Sequence, residues 1–214
     1  MGNSLKDSAY NIIKSRILSC EYKPEQMLNE ISLSQELGIS RTPIREALSA
    51  LEREMLVTVI PKKGTQVQEL SADIVRNVFE IRLIFEPYII RKYGILIDKL
   101  ALVQVKKVQE KAKAAGKRDQ YSADSDLHQL IISVNRNMYI DETLRNVYDQ
   151  NQRIRIMTGE ASAERLRSTA DEHMKIINSL LCENYEKAAA DMEAHLAASW
   201  EATINALYSS ENRI

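Results

Sequence analysis

Histidine is scarce in this chain, with three residues in 214, and all three, His128, His173 and His195, fall in its second half. His128 follows Asp124 by four positions in "DSDLHQLIISVN", the spacing that sets two side chains on one face of a helix. Imidazole nitrogens joined by one carboxylate form the donor set of zinc, nickel, manganese or iron sites. A lone Asp/His pair of this kind is equally well a simple helix-face contact of small energy. Helical phase separates the two readings. Asp124 and His128 share a stripe with Tyr121, Ile131 and Asn135; His173 lies with Leu166, Ala170, Ile177 and Leu180; His195 lies with Met192 and Ser199. Three histidines and a carboxylate thus take inward positions on three helices. Burying them unpaired is costly, whereas one divalent cation, zinc first among the candidates, satisfies all four.

The elements that position these residues are helical almost throughout. Beyond residue 70 the apolar periodicity predicts six helices, near 73–93, 98–115, 119–136, 139–157, 162–182 and 184–208, broken at Gly94, Gly116, the Asn137 region, Gly159 and Asn184. Short connections between such segments predict an antiparallel bundle. Ser71 in "SAD" is a candidate N-cap for the first of them, so the boundary is set there: residues 1–70 form one domain and residues 71–214 a helical one.

Three of the four prolines, Pro24, Pro43 and Pro61, with Gly38 and Gly64, punctuate the first domain. A helical stripe through Leu5, Ala9, Ile12, Ile13 and Ile17 ends near Cys20, and "EYKPEQ" reads as a loop. A short helix near Ser32–Leu37 is stopped by Gly38. The next begins within two residues and carries Ile44, Leu48, Leu51 and Met55 on one face. "VTVI-PKKG-TQVQ" then supplies two β-rich runs around a Pro/Gly turn. Two helices joined by a tight turn and followed by a hairpin form a winged helix-turn-helix. Ser40 or Thr42 can cap the second helix, with Pro43 in its first turn. Arg41, Thr42 and Arg45 project from that end, away from the apolar stripe, where a recognition helix enters the major groove and Arg pairs bidentately with guanine. Lys62, Lys63 and Gly64 at the hairpin tip suit backbone or minor-groove contact.

The stretch "LNEISLSQELGISRTPIREALSALEREMLVTVIPKKGTQV" resembles the DNA-binding domain of the GntR family of bacterial transcription regulators. The resemblance implies that Ser40, Arg41, Thr42 and Arg45 contact DNA, with Gly64 in the wing. Two departures stand out: relatives often carry Arg at the place of Ile31, and most have Gly where this chain has Met55, a change expected to touch only local packing. The bundle, with "DSDLH", the following "VN" (Asn135), "DEH" and "MEAHL", resembles the FCD effector domain of the FadR branch, and six helices rather than seven match its VanR-like subgroup. That resemblance implies a metal at the base of a cavity that helps hold a small, carboxylate-bearing effector. The carboxylate needs a cation. Arg82 lies among Val75, Val78, Phe79 and Ile89 on an inner helix face, and Arg155 shares a face with Leu144, Tyr148 and Asn151. Arg153 is a further candidate by resemblance. For each arginine, a plain surface or Glu86-type ion pair is the alternative.

Composition narrows the classes. A net charge of −1 gives no whole-chain attraction to nucleic acid, and residues 1–68 hold nine Lys/Arg against eight Asp/Glu, so DNA binding must come from the local cluster. No run reaches the roughly 20 apolar residues of a membrane span, the N-terminus lacks a secretory signal's apolar core, and Cys20 and Cys182 form no disulfide framework. A cytoplasmic protein is expected. The leading reading is a homodimeric transcription regulator that binds a palindromic operator and is not an enzyme. The competing one is a metal-dependent hydrolase or lyase in which a His₃Asp site activates water, although no carboxylate stands out beside the ligands as a general base. A third is a helical interaction protein whose polar cluster is structural.

Overall fold

The apolar stripes become the buried faces of nine helices among the described residues, with one small sheet near the N-terminus. A computed structural model describes residues 5–112, 117–158 and 163–211, with backbone only for 112, 117–124, 163, 164, 166, 167 and 209–211. The chain forms two compact units, Met1–Ser71 with Tyr148–Met157, and Ala72–Val147 with Thr158–Ile214.

In the first unit, α1 (Leu5–Leu18) buries Ala9, Ile13 and Ile17, spaced four apart, against α3 (Arg41–Arg53), which returns Ile44, Ala47, Leu48 and Leu51. Each large apolar side chain so buried contributes about 1.5–3 kcal/mol. The helix α2 (Glu30–Leu37) starts two residues before the expected Ser32, because Asn29 caps it: its Oδ1 accepts from the N–H of Ile31 at 2.8 Å and of Ser32 at 3.3 Å. Gly38 ends it at φ 66°, a left-handed conformation natural to glycine. Ser40 occupies the N-cap position of α3 in extended backbone, but its side chain makes no capping bond, and Thr42 is already inside the helix. The hairpin is β2 (Val57–Ile60) and β3 (Gly64–Val67), antiparallel with Val57 opposite Val67. A two-residue strand, β1 (Met27–Leu28), follows the expected loop and pairs with the other edge of β3.

Met55 corrects two expectations. It lies beyond α3, 60 % exposed, rather than on the core face. Its φ is 57°, so the glycine of relatives would relieve a left-handed backbone that costs an L-residue about 1–2 kcal/mol; the departure concerns conformation rather than packing.

The last stretch of α7 (Met138–Met157) also departs from expectation, since Tyr148–Met157 packs in the first unit. Lys14 Nζ bridges Asp149 Oδ2 and Glu54 Oε2, each at 2.7 Å, and Gln150 donates to the Met55 carbonyl at 2.8 Å. Arg153, fully buried, donates to Gln150 Oε1 at 2.6 Å and to the Gln68 carbonyl.

The second unit holds α4 (Ala72–Tyr93), a short 3₁₀ turn (Gly94–Leu96), α5 (Lys99–Ala112), α6 (Lys117–Ser133), α7 to Val147, α8 (Ala163–Leu181) and α9 (Tyr185–Glu211). These are the six expected helices, each displaced by only a few residues. The longest, α9, packs along α4 and α8, while α6 meets α4, α5 and α8. Among the described residues no helix is long and apolar enough to cross a membrane.

Candidate metal centre and DNA-reading face

Helical phase brings the three histidines together. His128 from α6, His173 from α8 and His195 from α9 are all buried, beside Leu127 and Ile131, Ile176 and Ile177, and Met192 and Leu196 respectively. One ring nitrogen of each lies within 4.8 Å of the others, and the Nε2 atoms of His173 and His195 are 3.2 Å apart. Zinc–nitrogen bonds of about 2.0–2.1 Å place two tetrahedral nitrogens about 3.4 Å apart, which the His173–His195 spacing matches. Asp124, the expected fourth ligand, has its side chain outside the described residues.

Each ring is held from behind at Nδ1. His128 Nδ1–H donates to Glu86 Oε2 at 2.6 Å, and His195 Nδ1–H donates to Glu172 Oε2 at 2.7 Å. A proton fixed on Nδ1 leaves the Nε2 lone pair for a metal, the usual arrangement behind a ligating histidine. The Gln109 amide stands 3.0 Å from His173 Nδ1, and by turning end for end it can donate to that nitrogen or accept from it. The residues present therefore fit a divalent ion with nitrogen ligands.

The carboxylates are themselves braced. Arg82, on the inner face of α4 as its phase required, donates from Nε to Glu86 Oε1 at 2.8 Å, and its Nη2 lies 3.4 Å from both ring nitrogens of His128. Burial alone would raise the Glu86 carboxyl, but the Arg82 charge and then His128 outweigh it and hold it well below the usual carboxylate range. Arg165 grips Glu172 at 2.6 and 3.0 Å and donates to Ser199 Oγ at 2.8 Å. Burial raises the Glu172 carboxyl too, and the bonds from His195 and Arg165 more than reverse this. In the sequence no carboxylate stands out as a general base beside the ligands; the structure places Glu86 and Glu172 there, each ion-paired and committed to a ring.

Asn135, buried after α6, donates from Nδ2 to the Asn137 carbonyl at 2.9 Å and to Asp141 Oδ1 at 2.6 Å, tying the end of α6 to the first turn of α7. Arg153 and Arg155 both fall in the stretch that packs in the first unit, and burial pushes the Arg153 guanidinium down to about 10. Of the three candidate arginines, the structure brings Arg82 to the histidines. The Glu86 ion pair weighed as the alternative for Arg82 is present, but sequence reasoning missed Glu86, Gln109 and Glu172 as supports of the histidines. Glu86 at four residues from Arg82 and Glu172 beside His173 were visible signals, whereas Gln109 had none.

On the first unit, Ser40, Arg41, Thr42 and Arg45 are exposed at the start of α3, opposite its buried stripe. Glu30 of α2 joins the two arginines: its carboxylate accepts from Arg45 Nε at 3.0 Å and Nη2 at 2.9 Å, and from Arg41 Nη2 at 3.3 Å. The Arg45 bond, followed by Arg41, holds the Glu30 carboxyl below its ordinary value despite partial burial. Lys62, Lys63 and Gly64 are exposed at the hairpin tip, with Gly64 at φ 120°.

Residues 5–67 match the model of the bacterial regulatory proteins of the gntR family, and residues 77–198 match the FCD domain. The chain belongs to the GntR family. It is a transcriptional regulator, not an enzyme, with a GntR helix-turn-helix followed by an FCD domain. This GntR regulator is 28 % identical to the HTH-type transcriptional regulator YdhC of Bacillus subtilis over 193 residues, 87 % of this chain and 85 % of YdhC. It is 25 % identical to the Nta operon transcriptional regulator of Aminobacter aminovorans over 84 % of this chain and 85 % of that one. Its fold is shared with a GntR regulator from Rhodococcus sp. RHA1, with a TM-score of 0.79 at 19 % identity, covering 95 % of this chain and 99 % of the other. The Zn2+-bound FCD domain of TM0439 superposes with a TM-score of 0.56 at 23 % identity, covering 65 % of this chain and 98 % of that domain.

Proposed function

We propose that this regulator binds a divalent metal, zinc foremost, through His128, His173 and His195, with Asp124 as a fourth ligand, and that a small carboxylate effector bound beside it changes operator affinity. The observation that carries this reading is the convergence of three buried imidazoles, each backed at Nδ1, next to the Arg82 guanidinium. The metal would supply a Lewis-acidic seat for a carboxylate oxygen, and Arg82 a second positive group with planar donors. A fold shared with an FCD domain solved with Zn2+ supports the assignment.

On the DNA side, Arg41 and Arg45 are the base-reading residues, Ser40 and Thr42 bind phosphate or base edges, and Lys62, Lys63 and Gly64 approach the backbone. A homodimer would set two recognition helices about 34 Å apart, matching the half-sites of a palindromic operator. Effector can shift that equilibrium only as far as it prefers one state over the other. Repression is the proposed direction, since the relatives RspR and GlaR of Escherichia coli are named repressors.

The test is retardation of the DNA flanking the regulator's own gene, in zinc, with and without a panel of small mono- and dicarboxylates. A sequence-specific shift altered by one of the acids is expected. No specific shift under any condition would defeat the reading.

A further inference from the structure

The contact between Glu30 and the two exposed arginines has a geometry suited to more than surface charge balance. A guanidinium has a side-on edge, Nε with one terminal nitrogen, and an end-on edge formed by its two terminal nitrogens. Glu30 takes the side-on edge of Arg45 with both carboxylate oxygens, at 3.0 and 2.9 Å, and reaches Arg41 with the second of them at 3.3 Å. The end-on edge of Arg45 is the one Glu30 does not cover, and a paired donor edge of this kind meets guanine O6 and N7. Glu30 is itself placed firmly: it is the first residue of α2, directly after the capping Asn29, and its side chain is 27 % exposed against 56 % for Arg41 and 64 % for Arg45. A long, exposed arginine otherwise loses considerable rotamer freedom on docking, and a fork held in place beforehand loses less.

We infer that Glu30 is a positioning residue for DNA reading, holding Arg41 and Arg45 in the geometry that recognises bases and making them discriminate against non-operator DNA. The inference rests on the reading of Arg41 and Arg45 as base-contacting residues. Two effects follow from its charge. The carboxylate orients both guanidiniums toward base edges, which raises specific affinity. It also places a negative group beside the phosphates, which lowers the sequence-independent electrostatic binding that free arginines would provide. Removal of Glu30 therefore weakens binding to the operator while leaving, or strengthening, binding to unrelated DNA. A merely structural residue would not separate the two.

The experiment uses the full chain and two duplexes: one enriched by the wild-type protein from a random-sequence pool, and one of the same composition with shuffled sequence. Affinities are read by fluorescence anisotropy across a salt series for wild type, Glu30→Gln, Glu30→Ala and Arg45→Ala. An amide offers one acceptor and one donor where the carboxylate offers two acceptors, so Glu30→Gln loses the fork while keeping size and helix position. Glu30→Gln is expected to bind the enriched duplex about tenfold more weakly, and the shuffled duplex as well as or better than wild type. Unchanged affinity for the enriched duplex overturns the inference, as does a parallel loss on both duplexes. Arg45→Ala tests the underlying reading separately: full specific binding by that variant, or no enriched sequence from the pool, defeats the base-reading assignment and the role of Glu30 with it. Circular dichroism melts of Glu30→Gln, expected to match wild type, exclude unfolding as the cause.

Discussion

Replacing Glu172 by Gln isolates what the carboxylates behind the histidines do. Glu172 Oε2 accepts from His195 Nδ1 at 2.7 Å, and its other bonds come from Arg165 at 2.6 and 3.0 Å. The side chains of Arg165 and Glu172 are 15 % and 22 % exposed, so the ion pair itself contributes no more than about 1 kcal/mol to the stability of the metal-free protein. The effect on the metal is larger. Losing a carboxylate behind a ligating histidine weakens metal affinity about 10- to 100-fold, or about 1.4–2.7 kcal/mol. A Gln side chain can still accept from Nδ1–H, but it carries no charge to raise the basicity of the ring, and its NH2 faces the Arg165 donors. The assay is competition for zinc with a chromogenic chelator, paired with thermal melts at matched zinc. Glu172→Gln is expected to keep its metal-free melting temperature within a few degrees and to lose at least tenfold in zinc affinity. Unchanged zinc affinity in Glu172→Gln, alongside its loss in His195→Ala, would refute the claim that Glu172 tunes the ligand.

Met55→Gly relieves a backbone at φ 57° and, after the entropy cost of glycine, gains about 0.5–1 kcal/mol in urea melts; a loss of stability would show that the left-handed turn carries no strain. Arg82→Met leaves the fully buried Glu86 charge with the His128 N–H but without its guanidinium partner and costs about 3–5 kcal/mol in the same assay; a loss below about 1 kcal/mol would contradict the pairing. Arg153→Ala empties a fully buried position and strips the Gln68 carbonyl and Gln150 of a donor, for a loss of about 2–4 kcal/mol, with no change in zinc affinity; a change in zinc affinity would place Arg153 with the metal site after all.

Much of this was legible in residue periodicity. The six helices of the second unit were marked by apolar stripes and by Gly and Asn breaks, and His128, His173 and His195 could be turned inward because each shares a stripe with buried neighbours such as Ile131, Ile177 and Met192. Periodicity reports which face of a helix is buried and not what it is buried against. Phase therefore sets Arg155 on a face with Leu144, Tyr148 and Asn151 but gives no sign that the end of α7 packs in the first unit. A two-residue strand such as Met27–Leu28 has no period to detect, and the left-handed Met55 shows no conformational signal of its own, since methionine is indifferent to turns. The supports Glu86, Gln109 and Glu172 are polar residues whose partners lie 23 to 64 positions away, so only the assembled bundle shows their purpose.

Whether three converging imidazoles hold a metal in this regulator is decided by elemental analysis of the full chain purified from zinc-supplemented cells, beside His128→Ala/His173→Ala. About one divalent ion per wild-type chain is expected, as for a single three-histidine site, and almost none in the double variant. Equal metal in the two proteins, whether near one or near zero, would contradict it.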